Sequence, residues 1–258
     1  PFLSSFFYLL SCANVLFFFT IYCFGLHPTS FFLFNFILIN NYAMRYNLSD
    51  VSSIANHYLS EIRDVEIQKD PLRFRANLER IASILGYEVS KKMSFEDHVV
   101  ETPLGNSNEK RLVDLPVLIT ILRAGLAMHN GLMDTFDRCE SAFVSAYRSH
   151  TSDENFTIEV EYLAAPNLDD RIWFISDPML ATGNSMVEVY NALLKFGKPK
   201  KVIIAVAIAT PQALALVEQS LPSNTDIWTA AIDPELTSES YIVPGLGDAG
   251  DLAFGVKV

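Results

Sequence analysis

Basic charge is scarce: 19 Lys and Arg stand against 30 Asp and Glu, for a formal net charge of −11. That excludes a broad nucleic-acid-binding surface, which needs clustered Lys and Arg to neutralise phosphates. It leaves room for a local basic pocket holding one phosphorylated small molecule. Cysteine is scarce too. Cys12, Cys23 and Cys139 have no paired spacing, which excludes a disulfide framework and a metal-ligand pattern. A reducing compartment, the cytoplasm, is expected. Residues 1–43 lack charge altogether, with no Asp, Glu, Lys or Arg, and are dense in Phe. Phe6–Leu26 is long enough to cross a bilayer, for which about 20 apolar residues suffice. No Lys or Arg flanks that span to set its orientation, and no positive segment marks a secretory signal. Residues 1–43 are therefore expected to be an apolar extension outside the mature soluble protein, residues 44–258. A membrane anchor is the rival reading. A Walker loop and the spaced glycines of a dinucleotide fingerprint are also missing.

After Met44 the chain alternates strand and helix patterns. Val51, Ile54, Ala55, Tyr58, Leu59 and Ile62 recur at helical spacing, with Ser49 or Asp50 as N-cap. A second helix fits Leu72–Val89, with Pro71 in its first turn. Leu115–Leu122, Ser141–Tyr147, Arg171–Asp177, Lys200–Thr210 and Asp226–Asp233 read as strands, most of them buried. Helices are expected after the first of these, over Met186–Phe196 and over Pro211–Gln219. Phe156–Ala164 alternates at period two, as in a half-exposed hairpin arm. The fold class is α/β: one domain with a mainly parallel sheet flanked by helices, and a projecting β-hairpin arm.

Ligands of open parallel sheets bind at the carboxyl ends of the strands, and three unusual segments fall there. In "DPMLATGNS" the acid Asp177 ends an apolar run and a small-residue loop follows. Gly183 and its neighbours let backbone N–H groups turn inward, and the next helix points its positive end the same way, which suits a phosphate. Thr182 and Ser185 add hydroxyl donors. An ordinary capped strand–turn–helix connection is the alternative. In "ILRAG", Arg123 stands where a strand stops, and Arg148 repeats the arrangement on the next strand. Two such planar forks beside a phosphate loop suit a polyphosphate, although a lone arginine there is more often solvated. In "YIVPGLGDAGD", Tyr241–Asp251, glycines, proline and acids exclude a regular element. Such a loop presents its backbone to a ligand with amide-like edges, or is a tight surface turn.

The segments "ILRAG", "AYR", "DPMLATGNS" and "YIVPGLGDAGD" resemble, in order and spacing, the uracil phosphoribosyltransferases. "EIRDVEIQKDPLRFRANLERI" is similar to that family's N-terminal helices, and the resemblance covers essentially Met44 to Val258. It implies a type I phosphoribosyltransferase-like fold. It also implies transfer of phosphoribose from 5-phosphoribosyl 1-diphosphate (PRPP) to N1 of uracil, giving UMP and diphosphate in pyrimidine salvage. By that likeness Arg123 and Arg148 hold the diphosphate. Asp177, Pro178, Met179, Leu180, Ala181, Thr182, Gly183, Asn184 and Ser185 hold the ribose 5-phosphate, with Asp177 on the ribose hydroxyls. Tyr241, Ile242, Gly247, Asp248 and Ala249 read uracil, and Asp248 also lies near PRPP. Mg²⁺ is the implied cofactor, held mainly by PRPP and water rather than by protein ligands. GTP is a candidate effector, and a homodimer or higher homo-oligomer is expected. Where Asn184 stands, many relatives have a second glycine. A non-catalytic PRPP- or UMP-sensing protein of the same fold, and a membrane-anchored binding module, are the alternatives.

Overall fold

β-branched and apolar residues dominate four central strands, and the reason is burial on both faces. The computed structural model describes backbone over residues 44–152 and 155–257, and side chains over 44–145 and 162–257. The charge-free segment 1–43, and the expectation attached to it, lie outside the described residues. The described elements belong to one unit, Ala43–Val258.

The strands are β1 (Met44–Asn47), β2 (Phe95–Thr102), β3 (Gly105–Leu112), β4 (Val117–Leu122), β5 (Glu140–Ser152) and β6 (Asn155–Ala164). They continue with β7 (Ile172–Leu180), β8 (Lys201–Ala209), β9 (Asp226–Ile232), β10 (Glu235–Leu236) and β11 (Ile242–Val243). The helices are α1 (Ile54–Arg63), α2 (Pro71–Ser90), α3 (Gly125–Thr135), α4 (Asn184–Leu193), α5 (Pro211–Ser220) and α6 (Ala249–Phe254). A seven-stranded sheet has the order β1-β9-β8-β7-β4-β5-β6. It is parallel except for β6, which returns antiparallel along β5 as the expected hairpin arm.

Alternation along β8 shows the two covered faces. Ile203, Ala205 and Ala207 join α1, α2 and α3 in one buried cluster, through Ile62, Phe74, Leu78 and Met128. Val202, Ile204 and Val206 join α4 and α5 in the other, through Val189, Leu193, Leu214 and Val217. The fold class expected from sequence is therefore the one observed.

Several local expectations need correction. Helix α1 starts at Ile54, not near Val51: Ser53 caps it, accepting from the Ala55 N–H, while Asn56 accepts from the Ser53 N–H. That reciprocal box outcompetes Asp50 and Ser49, which sit in a preceding 3-10 turn. Strand β7 does not end at Asp177 but runs to Leu180, in register with β8 (Asp177↔Val206, Met179↔Ile208). Its pairing with β4 extends only to Thr120↔Ser176, and proline is tolerated in a strand where one side lacks a ladder partner, hence Pro178. Finally, Tyr241–Asp251 is not wholly irregular: it holds β11 and the first turn of α6.

Candidate active site

The carboxyl ends of β4, β7 and β9 open onto one edge of the sheet. Arg123 follows β4, the Ala181–Gly183 turn follows β7, and the Asp233–Asp251 segment follows β9. Strand β5 does not stop at Tyr147 as expected but runs on to Ser152, pulled along by its antiparallel partner β6; Ser145 is the register partner of Leu122, so Arg148 lies inside the strand, three residues past that edge, paired with Ile158 in the arm. Its side chain lies outside the described residues.

In the turn after β7, Gly183 has φ 88, and a Cβ there would lie 3.1 Å from the Ala213 carbonyl oxygen. Both the sign of φ and the space call for glycine. Asn184 is already the exposed first residue of α4, so it does not have to take the left-handed conformation. No side chain caps α4 at Gly183, and apart from that of Asn184 its first-turn N–H groups are left for a ligand. The Thr182 hydroxyl accepts from the Asn184 N–H at 3.4 Å. From the neighbouring connection, buried Thr210 donates its hydroxyl to Ala181 O (2.7 Å) and its N–H to Leu180 O (3.1 Å). Thr210 was not foreseen, because nothing in the sequence ties it to a loop 29 residues earlier.

Asp177 is half-buried. Burial pushes its carboxyl up to about 7, partly offset by the Met179 N–H it accepts. Hydroxyl donors from a bound sugar would favour the ionised form and pull that value down.

Arg123 points its fork at α6: Nη2 donates to Asp251 Oδ1 (2.9 Å) and Nη1 to Gly255 O (3.1 Å). The Leu122–Arg123 peptide is cis. The arginine therefore joins the end of β4 to the segment that follows β9. Asp248 caps α6, accepting from the Asp251 N–H at 3.0 Å, and its other oxygen lies 3.8 Å from Lys257 Nζ.

Within Tyr241–Ala249, Tyr241 is exposed, and Ile242 and Ala249 are buried. Val243–Pro244 is cis, and Gly245 (φ 58) and Gly247 (φ 92) both take left-handed backbone. The exposed backbone at Gly247 and the capping carboxylate of Asp248 are what this stretch can offer a flat heterocycle. Sequence reasoning missed the side chains that hold this stretch. Arg63, the last residue of α1, grips Asp233 with two hydrogen bonds of 2.7 and 2.8 Å and also donates to Gly245 O at 3.0 Å. The Asp233 carboxylate accepts from the Gly245 N–H at 2.9 Å.

Among the described residues no three His, Cys, Asp or Glu side chains converge as a metal site, and no helix is long and apolar enough to cross a membrane. Cavities of about 260 and 580 Å³ lie away from this edge. The smaller lies where β7, β8 and β9 begin, and its Lys200 and Lys201 are already paired with Asp114 and Asp226. Cys139 has its thiol pushed up to about 12 by burial, which leaves it inert at neutral pH.

A family model described as uracil phosphoribosyltransferase matches residues 51–256. A curated relative from Porphyromonas gingivalis, named uracil phosphoribosyltransferase, is 52% identical over 206 residues, covering 80% of this chain and 95% of that protein. One of the same name from Thermococcus gammatolerans is 36% identical, over 78% of this chain and 88% of that protein. Among solved structures, a protein from Aquifex aeolicus superposes with a TM-score of 0.73 at 29% identity, covering 83% of this chain and 100% of that one.

Proposed function

The chain belongs to the uracil phosphoribosyltransferase family, and on that premise we propose that it transfers phosphoribose from PRPP to N1 of uracil. The products are UMP and diphosphate. The observation that carries this reading is that the α4 turn after β7 and the Tyr241–Ala249 backbone after β9 both lie at the carboxyl end of one parallel sheet. A phosphorylated sugar and a base that react need sites at one end in that way.

The site residues divide the work as follows. First-turn N–H groups of α4, with Thr182 and Ser185, bind the 5-phosphate. Asp177 accepts from the ribose hydroxyls. Ile242 and Gly247–Ala249 read uracil through backbone groups, with Tyr241 at the rim. Arg123 and Arg148 take the diphosphate. As the C1–O bond to diphosphate breaks, its electron pair leaves with the diphosphate oxygen and positive charge grows on the ribose. The N1–C1 bond then forms and N1 gives up its proton to water. Fixed donors aimed at the developing anion lower this barrier.

The donor set at the edge fits Mg²⁺ as a passenger of the diphosphate. It has single carboxylates rather than a protein cage, and Mg²⁺ keeps several waters and prefers substrate phosphates. When bound, the ion would neutralise charge on the diphosphate. We further propose a reducing location for the protein, self-association through the β5–β6 arm, and a response to GTP. Sedimentation, and turnover with added GTP, test the last two.

The deciding experiment incubates the full chain with PRPP, Mg²⁺ and labelled uracil. UMP and diphosphate in equal amounts are expected. PRPP binding with no UMP formed would turn the reading to a sensor of the same fold.

A further inference from the structure

Gly245 stands between the two parts of the chain that the proposed function assigns to the base, Ile242 on one side and Gly247–Ala249 on the other. Its conformation is tightly set. With φ 58, a Cβ at this position would fall 2.0 Å from the Ile242 carbonyl oxygen. Gly245 is also buried, so its N–H and C=O both need partners. Neither finds one in a strand or helix. The N–H goes to Asp233 Oδ2 (2.9 Å) and the C=O accepts from Arg63 Nη1 (3.0 Å). The two side chains are themselves joined by paired hydrogen bonds of 2.7 and 2.8 Å. The Asp233 side chain is 6% exposed and that of Arg63 22%. With its amide turned to satisfy its surroundings, Gln68 holds the next residue, donating to Leu246 O at 2.8 Å and to Ile62 O at 3.2 Å.

We infer that Arg63 and Asp233 are positioning residues for the base: they lock the Gly245 turn so that Ile242 and Gly247–Ala249 face uracil at a fixed separation. This rests on the assignment of uracil to that loop. The physical ground is that a buried ion pair is a poor device for stability alone, since desolvation cancels much of its attraction. What this pair does is local and directional. Arg63 ends α1 and Asp233 follows β9, so the loop is tied to two rigid elements, one on a sheet face and one in the sheet. The planar fork is needed, because one guanidinium satisfies both a carboxylate and a carbonyl. A lysine offers a point charge and no such geometry.

The test compares the full chain with Arg63→Lys, Asp233→Asn, Asp233→Ala and Gln68→Ala. Uracil and PRPP are varied separately, and amide exchange is followed across Ile242–Ala249. For Arg63→Lys we expect the KM for uracil to rise at least about tenfold. Its kcat and its KM for PRPP should move less than about threefold. Amide exchange across the loop should accelerate. Asp233→Asn keeps an oxygen for the Gly245 N–H and should be milder than Asp233→Ala. Gln68→Ala should shift the same quantities by about threefold, and it carries the test if the charge variants do not fold. A parallel rise in both KM values with unchanged exchange in the loop would overturn the positioning role. A parent that makes no UMP would overturn the functional assignment instead. The exchange measurement would still decide whether the pair holds the loop.

Discussion

Asp177 has a carboxyl held near neutrality by burial, pushed up to about 7 with only partial relief from the Met179 N–H. Its folded-state value lies above the unfolded one, so between about pH 4 and 7 the folded chain binds the extra proton. Stability therefore falls as pH rises through that window and levels off above it. Each tenfold gain in the carboxyl's proton affinity on folding corresponds to about 1.4 kcal/mol of that loss. Asp177→Asn removes the titrating group while keeping shape and hydrogen-bonding atoms. Its melting temperature should match the parent near pH 4 and exceed it by several degrees at pH 8. Its turnover at neutral pH should drop at least about tenfold, because the amide loses the charge that would accept from ribose hydroxyls. A variant no more stable than the parent at pH 8 would show that burial does not penalise the charged form of this carboxyl. Asn184 is settled differently: the left-handed turn is made by Gly183, with φ 88, one residue earlier.

Helices α1 and α2 are latched by Glu61, which accepts from Arg73 Nε (2.8 Å) and Nη2 (2.9 Å) and from Asn77 Nδ2 (2.7 Å). Arg73 foremost, then Asn77, pulls the Glu61 carboxyl down to about 2. Here the folded value lies below the unfolded one. The stabilisation is complete above about pH 4.5 and is lost as pH falls toward 2. Glu61→Gln should lower the melting temperature at pH 7, and the gap to the parent should close between pH 4.5 and 2. A pH-independent gap would show that packing, not charge, joins the two helices. The latch matters for the site because Arg63 is two residues further along α1. Elements of this kind differ in how far the sequence betrays them. Strands β4, β7, β8 and β9 are legible because burial on both faces demands largely apolar runs. Strand β1 is a short edge, and the β2–β3 hairpin, exposed almost throughout, shows no inward and outward alternation to read. The turn at Gly183 was legible from its residues alone, whereas Asp177 lies within β7, three residues short of the strand's end. The Arg63–Asp233 clasp was not, because 170 residues separate partners that only the folded sheet brings together.

A chain of net charge −11 that takes a polyphosphate as substrate works against its own long-range field. Over roughly a Debye length, about 10 Å at 0.1 M salt, the protein repels the anion it must bind. The donors proposed at the sheet edge would act at contact distance, and the Arg123 fork is engaged by Asp251 and Gly255. Lowering the charge of the incoming anion should therefore matter more here than in a basic protein, and the proposed Mg²⁺ on the diphosphate would do that. A ligand that binds only the folded chain at about 100 times its Kd adds about 2.7 kcal/mol of stability. For a protein of this size that corresponds to a melting shift of about 5–10 °C. We expect PRPP with Mg²⁺ to produce a shift of that order, and PRPP with EDTA to produce less than half of it. Added salt should narrow the difference by screening the net field. An equal shift with and without the metal would mean that the edge donors overcome the repulsion alone, and that the magnesium has no part in binding.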